Sequence, residues 1–507
     1  MAEHMDPEEF RRAGYAVVDW VADYWRTLDR RPVTPPDPPG TVTAALPTGP
    51  PAHGEPVAAM LADLDAIIAP RVTHWQHPGF FGYFPANTSG PSVLADLVSS
   101  GLGSQGMLWA TNPAGTELET VVLDWLADLM DLPARWRSTG TGGGVIQDSA
   151  SSATLVATLV ALHRASGGRW REAGVDRRYR AYTSVHGHSS IEKAARIAGL
   201  GEAGVRTVAV DPTTQAMRPS ALRAAIEADL AEGVVPAIVV ATIGTTSTTA
   251  VDPLPEIGAI CARYGVWLHV DAAYAGAAAV CPELRWTQAG VEHADSYCFD
   301  PHKWLLTGFD CDAFWVADRG ELIEALTVMP EFLRNAASES GAVIDYRDWQ
   351  VPLGRRFRAL KLWFVLRWYG VEGLRAHLRA GISLAGRFAD RVRADDRFAL
   401  TAPHPFSLVT FRLRAGDEAS AALLARVNDS GQVYLTHTRV NGRYTLRLAV
   451  GSPLTGPEHV DRAWALLSAA ATDLLAGAPA PTRPAPGGPA PIEPAPGGPA
   501  PGDAFPG

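Results

Sequence analysis

The chain has 507 residues, 47% of them hydrophobic, with a formal net charge of −10 and a pI of about 5.8. This length predicts several domains or one large subunit with added segments. The acidic balance argues against nucleic acid or an anionic membrane as a bulk partner, and the lack of an apolar run of about 18 residues argues against a membrane span. The N-terminus has no signal pattern and the four cysteines have no C-x-x-C spacing. We therefore expect a reduced, cytoplasmic protein without a disulfide framework or metal site.

The first ninety residues predict helices around a proline-rich loop. Apolar residues near helical spacing predict a helix over Pro7–Leu28, and a second is expected over Pro56–Ile68. The loop from Arg31 to His53 separates them. Two helices joined in this way bury little on their own, so we expect them to pack on another part of the protein or on a second subunit.

From about residue 90 the pattern alternates between helices and short buried strands. Helices are predicted over Thr116–Met130, Ser151–Ala165, Pro219–Ala231 and Leu254–Tyr264. Strands are predicted over Arg180–Ser184, Val205–Val210, Ala237–Thr242, Val266–Val270, Ser296–Phe299 and Ala313–Val316. This alternation predicts an α/β domain with a mainly parallel sheet. Ligands bind beyond the C-terminal strand ends of such sheets, and Thr246 and Asp271 fall there.

Composition divides the chain into four predicted parts. These are a helical segment over 1–90, a large domain over 91–385, a small α+β domain over 386–477 and a tail over 478–507. The tail repeats Pro-Ala-Pro-Gly-Gly-Pro-Ala-Pro and has almost no large apolar residues. That composition is typical of a solvated, disordered segment, and a ligand for a proline-recognising domain is the less favoured alternative.

An aspartate and a lysine stand in unusual local contexts. Asp271 ends the apolar run Val266–Val270, and Lys303 lies among the aromatic and apolar residues of Phe299–Leu306. An enzyme that uses pyridoxal 5'-phosphate (PLP) needs such a pair, since the lysine forms a Schiff base and the aspartate keeps the ring nitrogen protonated. Burial is expected to lower the pKa of Lys303 and make it a usable nucleophile. Alternatively, the aspartate caps a turn and the lysine is solvated.

Three weaker signals fall at other strand ends. The segment Gly142–Thr154 places small hydroxyl residues at a helix start, which suits a phosphate but also an ordinary cap. His188 follows a strand and could stack on a flat ring or serve as a structural hydrogen-bonding group. Thr246 lies in a hydroxyl-rich turn that ordinary turn chemistry also explains. The common placement of these residues with Asp271 and Lys303 favours a single cofactor site.

With these motifs the chain resembles the aromatic-L-amino-acid decarboxylases of the PLP-dependent group II decarboxylase family. The resemblance covers about residues 5–476 and is carried by His77–Pro85, Thr116–Glu119, Gly142–Thr154, Val270–Gly276, Pro301–Leu306 and Asp345–Arg358. It implies the α/β PLP-dependent transferase fold of type I, with a mainly parallel seven-stranded sheet in the large, PLP-binding domain. It also implies an obligate homodimer that the N-terminal helices clasp.

The resemblance assigns roles to matching residues. For the cofactor it implies Lys303 as the Schiff-base lysine, Asp271 at the pyridine nitrogen, Ala273 and His188 on the two ring faces, Ala150 and Ser151 at the phosphate with His302 nearby, and Thr246 close to cofactor and substrate. For the substrate pocket it implies Trp75, Tyr83, Phe84, Pro85 and Phe309, with Gln105 and Met107 from the other subunit.

The chain departs from the family at Phe332, which replaces a loop tyrosine that supports protonation of the quinonoid carbon. Phenylalanine has no proton to give. Plant relatives with phenylalanine here resemble aldehyde synthases, in which dioxygen is a co-substrate and the products are aldehyde, ammonia and hydrogen peroxide. Amine formation, with His188 or water replacing the tyrosine, is the equally weighted alternative. Asp300 and Ser152 replace a common asparagine and glutamate, and we expect these two changes only to tune activity.

The expected substrate is an aromatic amino acid. The predicted pocket has no arginine for a side-chain carboxylate, and the small Gly354 leaves room for an indole. We therefore favour tryptophan, with phenylalanine, tyrosine and DOPA as alternatives. The competing interpretations are a fold-type-I aminotransferase, which the motif around Lys303 disfavours, and a catalytically silent adaptor, which the intact Lys303, Asp271 and His188 disfavour.

Overall fold

A seven-stranded sheet organises the chain in a computed structural model that describes residues 4–84, 87–328 and 343–477. Its strands are β1 (Gly143–Gln147), β2 (Tyr179–Ser184), β3 (Val205–Val208), β4 (Val235–Thr242), β5 (Trp267–Asp271), β6 (Ser296–Phe299) and β7 (Asp312–Val316). They lie in the order β1-β7-β6-β5-β4-β2-β3. Strand β7 is antiparallel to both of its neighbours, and the other pairs are parallel. The predicted type I fold is confirmed.

The predicted strands agree closely with β2 to β7, whereas β1 was not predicted. Its first residues, Gly143 and Gly144, are typical of a loop, and glycine weakens a strand on its own. Here both glycines are close to indole rings, because an added Cβ would lie 2.7 Å from a ring atom of Trp349 or of Trp315 respectively. Packing against bulky side chains therefore selects glycine at these two strand positions.

Helices cover the sheet and extend beyond it. They are α1 (Pro7–Thr27), α2 (Thr41–Ala45), α3 (Val57–Asp63), α4 (Gly90–Leu102), α5 (Pro113–Leu129), α6 (Ala150–Ser166), α7 (Trp170–Ala173), α8 (Ser189–Ile197), α9 (Pro219–Ala231), α10 (Leu254–Tyr264), α11 (Pro301–Trp304), α12 (Arg319–Leu326), α13 (Ala359–Arg393), α14 (Asp417–Asp429) and α15 (Pro457–Leu475). Every residue of β1, β5, β6 and β7 is buried, as expected for a sheet covered on both faces. The predicted boundary between 385 and 386 falls inside α13.

A second sheet forms the core of the C-terminal region. Its antiparallel strands are β8 (Phe398–Leu400), β9 (Leu408–Leu413), β10 (Thr436–Val440) and β11 (Arg443–Ala449), in the order β10-β11-β9-β8. Phe81, from the N-terminal part of the chain, is buried in the same core. Its backbone N–H donates to the Tyr434 carbonyl (2.8 Å), and its carbonyl accepts from the Ala449 N–H (3.0 Å). The N-terminal part is thus anchored on the C-terminal sheet.

Helix α1 leaves much of its apolar surface uncovered. Every residue of α1 is at least partly exposed, and the side chains of Phe10 and Tyr15 are 55% and 66% exposed. The indole of Trp20 donates to the Asp65 carboxylate (2.9 Å), which connects α1 to the residues after α3. The expectation that these helices pack on another part of the protein or on a second subunit stays a prediction. Within the described ranges, no helix combines the length and apolar character needed to cross a membrane.

A buried ion pair joins the sheet to the segment that contains Gly354. The Arg355 guanidinium contacts both carboxylate oxygens of Glu119 on α5, at 2.5 and 3.1 Å, and the two side chains are 2% and 4% exposed. Both partners also bind Ile146 in β1: its N–H donates to Glu119 (2.8 Å), and its carbonyl accepts from Arg355 (3.0 Å). Since β1 leads directly into α6, this pair supports the start of that helix.

We expect Arg355→Met to lower the free energy of unfolding by about 3–5 kcal/mol, because it leaves the Glu119 carboxylate buried without its cation. Urea unfolding followed by circular dichroism measures this change. Arg379→Met is the matched control, since Arg379 pairs with Glu283 at the surface, where both side chains are about half exposed. Equal losses in the two variants would contradict the structural role of the buried pair.

Candidate active site

A cavity of about 240 Å³ opens at the C-terminal ends of the parallel strands. The eight residues predicted to contact the cofactor all line it: Ala150, Ser151, His188, Thr246, Asp271, Ala273, His302 and Lys303. Two predicted pocket residues, Phe84 and Phe309, line it as well. The structure therefore collects in one place residues that the sequence places on five separate strand-to-helix connections.

The first turn of α6 forms one wall of the cavity. Strand β1 ends at Gln147, and α6 begins at Ala150 after Ser149, whose carbonyl accepts from the N–H groups of Ser152 (3.0 Å) and Ala153 (3.1 Å). The N–H groups of the first two helical residues, Ala150 and Ser151, come before these bonds, have no carbonyl partner within the helix and point toward the group in front of it. Ala150 and Ser151 are thus placed to bind an anionic group.

Asp271 lies at the end of β5 and is 4% exposed. The N–H of Ala273 donates to its carboxylate (3.0 Å) and holds it in place. The adjacent turn after β4 depends on Gly244, which has φ +82°, and whose added Cβ would lie 2.5 Å from the Cβ of Ala275. This glycine lets the turn pack closely against the residues after β5 and places Thr246 on the cavity wall.

His188 precedes α8 and has a defined protonation state. Its Nδ1 accepts a hydrogen bond from the Ser190 N–H (3.2 Å) and lies 2.8 Å from the Ser190 hydroxyl. Because a backbone N–H can only donate, Nδ1 is unprotonated, and the neutral ring carries its proton on Nε2. Burial lowers the pKa of His188, and the nearby Asp271 carboxylate offsets only part of this effect. The residue is therefore a neutral, flat ring at pH 7.

Lys303 on α11 is paired with Asp300, an acid that the sequence interpretation treated only as a tuning residue. The Lys303 ammonium lies 2.7 Å from the Asp300 carboxylate, and its side chain is 26% exposed toward the cavity. Burial acts to lower the pKa of Lys303, but the attraction of Asp300, with a smaller one from Asp271, outweighs it and raises the pKa. The predicted lowering of this pKa is wrong, because burial was considered without the partner.

An aromatic stack that sequence reasoning missed closes one side of the cavity. The ring of Tyr274 lies parallel to that of Phe84, with centroids 3.7 Å apart, and stacks on Trp304 at 4.8 Å. Its hydroxyl lies 2.5 Å from the Ser407 hydroxyl in the C-terminal region, and burial raises its pKa. The signal was the position of Tyr274 three residues after Asp271, but the partners Phe84 and Ser407 are distant in sequence.

Five further predicted pocket residues that the structure describes are not part of the lining of this cavity. Trp75 and Tyr83 stack on each other at 5.4 Å, and Tyr83 is 48% exposed. Gln105, Met107 and Gly354 lie together elsewhere: the Arg355 N–H donates to the Gln105 side chain (2.6 Å), and the Arg347 N–H donates to the Met107 carbonyl (3.1 Å). Pro85 and Phe332 lie outside the described residues.

The groups that line the cavity fit PLP. They comprise an amine for its aldehyde, a buried carboxylate for its ring nitrogen, a neutral imidazole for its ring face and a helix start for its phosphate. Together with the sheet topology, this set of groups defines a PLP-dependent enzyme of fold type I.

Comparison with known proteins identifies the family of PLP-dependent enzymes to which the chain belongs. The model of the pyridoxal-dependent decarboxylase conserved domain matches residues 39–414, and the chain belongs to this family of PLP-dependent lyases. It is 44% identical to tryptophan decarboxylase 2 of Oryza sativa subsp. japonica, over 93% of this chain and 96% of the relative. It is 45% identical to the phenylacetaldehyde synthase of Arabidopsis thaliana, over 93% and 97%. The crystal structure of Oryza sativa TDC with PLP and tryptamine is 40% identical, with a TM-score of 0.90, over 94% of this chain and 100% of that chain.

Proposed function

We propose that this protein decarboxylates an aromatic L-amino acid, with tryptophan favoured over phenylalanine, tyrosine and DOPA. The proposal rests on the residues that line the cavity, where Phe84, Tyr274 and Phe309 supply aromatic surface. Among the described residues that line the cavity, Lys303 is the only lysine or arginine, so an acidic substrate side chain has no free cation to pair with. Tryptophan decarboxylase 2 and phenylacetaldehyde synthase, the relatives compared above, both handle aromatic compounds by name, which supports the same substrate class.

The residues of the cavity would each have a separate role in the reaction. Bound PLP would supply an electron sink for the bond that breaks at the substrate α-carbon. The Lys303 amine would hold the cofactor through its aldehyde carbon, and Ala150 and Ser151 would hold its phosphate. Asp271 would keep a proton on the ring nitrogen. His188 would pack on the ring and present the proton on its Nε2 toward the cavity.

The product depends on whether the substrate α-carbon is protonated or reacts with dioxygen after carbon dioxide leaves. Phe332 offers no proton, so the α-carbon stays open to dioxygen. Amino acid, dioxygen and water then give the aromatic acetaldehyde, carbon dioxide, ammonia and hydrogen peroxide. Protonation instead gives the amine. Identity to a tryptophan decarboxylase (44%) and to a phenylacetaldehyde synthase (45%) is nearly equal, so overall similarity does not favour either product.

The proposed functional unit is a homodimer. Apolar side chains on α4 are exposed, with Leu94 at 49%, Leu97 at 48% and Leu102 at 61%, and α1 exposes further apolar residues. Phe309 at the cavity is 66% exposed. Exposed apolar patches of this kind mark interaction sites. A second copy would cover these residues and bring its own Gln105 and Met107 to the open side of the cavity.

We expect Phe332→Tyr to raise the ratio of amine to hydrogen peroxide at least about tenfold, because a phenol can protonate the α-carbon. Amine and peroxide are measured with tryptophan, in air and under nitrogen. Phe364→Tyr, which adds a phenol on α13 outside the cavity lining, is the control and should leave the ratio unchanged. Stoichiometric amine without peroxide from the wild type would reject the aldehyde route and leave decarboxylation standing.

Gly354→Ser should lower kcat/KM for tryptophan relative to tyrosine about tenfold, within the range that apolar pockets discriminate. An added Cβ at Gly354 would lie 3.2 Å from the Gln105 side-chain nitrogen, so the larger residue pushes into the patch that we assign to the pocket. Gly106→Ala is the matched control, because its Cβ would make an ordinary contact 3.5 Å from the Arg355 carbonyl. An unchanged ratio in the serine variant would exclude Gly354 as a specificity determinant.

Leu97→Asp should convert the protein to monomers in sedimentation velocity, since a carboxylate in an apolar interface is poorly tolerated. Ile197→Asp is the control; Ile197 is 63% exposed on α8, which we do not assign to the interface, and its variant should stay dimeric. A wild-type chain that sediments as a monomer at micromolar concentration would contradict the homodimer.

A further inference from the structure

One carboxylate contacts both of the groups to which PLP would attach. Asp300 follows β6 directly, precedes α11 and is 1% exposed. One of its oxygens lies 2.7 Å from the Lys303 amine, and the other accepts a hydrogen bond from the Ala150 N–H at 3.1 Å. The same side chain therefore joins the reactive lysine to the first turn of α6.

PLP needs both contacts for itself. Its aldehyde reacts with an unprotonated, unpaired amine, and its phosphate needs the N–H groups at the start of α6. We propose that Asp300 acts as an internal anion that occupies the lysine and the phosphate-binding turn in the cofactor-free protein, and that PLP has to displace it from both. This inference rests on the proposed roles of Lys303 and Ala150.

The electrostatics of the site support this competition. The attraction of Asp300 is the main effect that keeps the pKa of Lys303 raised despite burial, so the ion pair holds the lysine in its charged, unreactive form. A buried carboxylate beside a bound phosphate also repels it, because like charges disfavour each other in a shared site. His302 offers little compensation: its Nε2 lies 3.7 Å from Asp300, and burial lowers its pKa.

Asparagine at position 300 would keep the hydrogen bond to the Ala150 N–H and remove the negative charge. An amide oxygen still accepts from the Ala150 N–H, but the side chain carries no charge to pair with Lys303 or to repel phosphate. The Asp300 carboxylate therefore stabilises the cofactor-free site and lowers the affinity of the protein for PLP. We infer that PLP binds this protein more weakly, and leaves it more readily, than it would with an uncharged residue at position 300.

The chain offers a matched control in Asp312, the first residue of β7. Both of its carboxyl oxygens are buried and have no hydrogen-bond partner in the part of the chain that the structure describes. Burial, reinforced by the nearby Asp300, raises the pKa of Asp312 well above its usual value. Asp312→Asn therefore removes a neighbouring carboxyl group that makes no hydrogen bond to Lys303 or to the Ala150 N–H.

The test is cofactor binding without substrate. Cofactor-stripped wild type, Asp300→Asn and Asp312→Asn are titrated with PLP and followed by the absorbance of the bound cofactor. We expect the Kd of Asp300→Asn to be at least about tenfold lower than that of the wild type, a difference of ~1.4 kcal/mol. Inorganic phosphate should raise the thermal unfolding midpoint of Asp300→Asn more than that of the wild type. Asp312→Asn should behave like the wild type.

Asp300→Glu keeps the charge and should gain no affinity, which separates charge from side-chain shape. Equal Kd values for wild type and Asp300→Asn would overturn the inference, as would an equal gain in Asp312→Asn. Neither result would touch the proposed decarboxylation, because binding is measured without an amino acid. Conversely, a lack of amine and aldehyde products would leave a measured difference in Kd intact.

Discussion

The placement of β7 between β1 and β6 is the constraint on which the site depends. Strand β7 pairs antiparallel with both neighbours, so that Asp312 at its start lies opposite Gln147 at the end of β1, and Ala313 lies opposite Phe299 at the end of β6. The helix start after β1 and the lysine turn after β6 therefore meet at one edge of the sheet. At this edge the Ala150 N–H donates to the Asp300 carboxylate (3.1 Å).

The charge balance at this edge follows from the same geometry. One lysine faces the carboxyl groups of Asp271 and Asp300, with Asp312 next to them. Burial makes charged groups costly, so they pair where they can and lose charge where they cannot. Lys303 pairs with Asp300, burial raises the pKa of Asp312, and burial lowers the pKa of His188. We propose that Asp271, which the Ala273 N–H holds in place, serves the cofactor's ring nitrogen.

Parts of the chain outside the large sheet complete the cavity. Phe84 comes from the segment that is anchored on the C-terminal sheet, and it stacks on Tyr274 at the end of the large sheet. The guanidinium of Arg447 in β11 lies 5.3 Å from the Phe84 ring centroid, and the Ser407 hydroxyl holds Tyr274 from the same region. The aromatic wall therefore depends on how the N-terminal and C-terminal regions pack on the large sheet, and not on the strand ends alone.

The sequence by itself determined the strand–helix alternation and placed Asp271, His188 and Lys303 at strand ends, because apolar periodicity and its interruptions are local properties of the chain. It did not reveal β1, whose glycines are explained only by the tryptophans that pack on them. The raised pKa of Lys303 and the stack of Phe84 on Tyr274 were also decided by the tertiary structure. These features depend on burial, packing and interatomic distances that exist only in the folded chain, and local sequence patterns do not encode them.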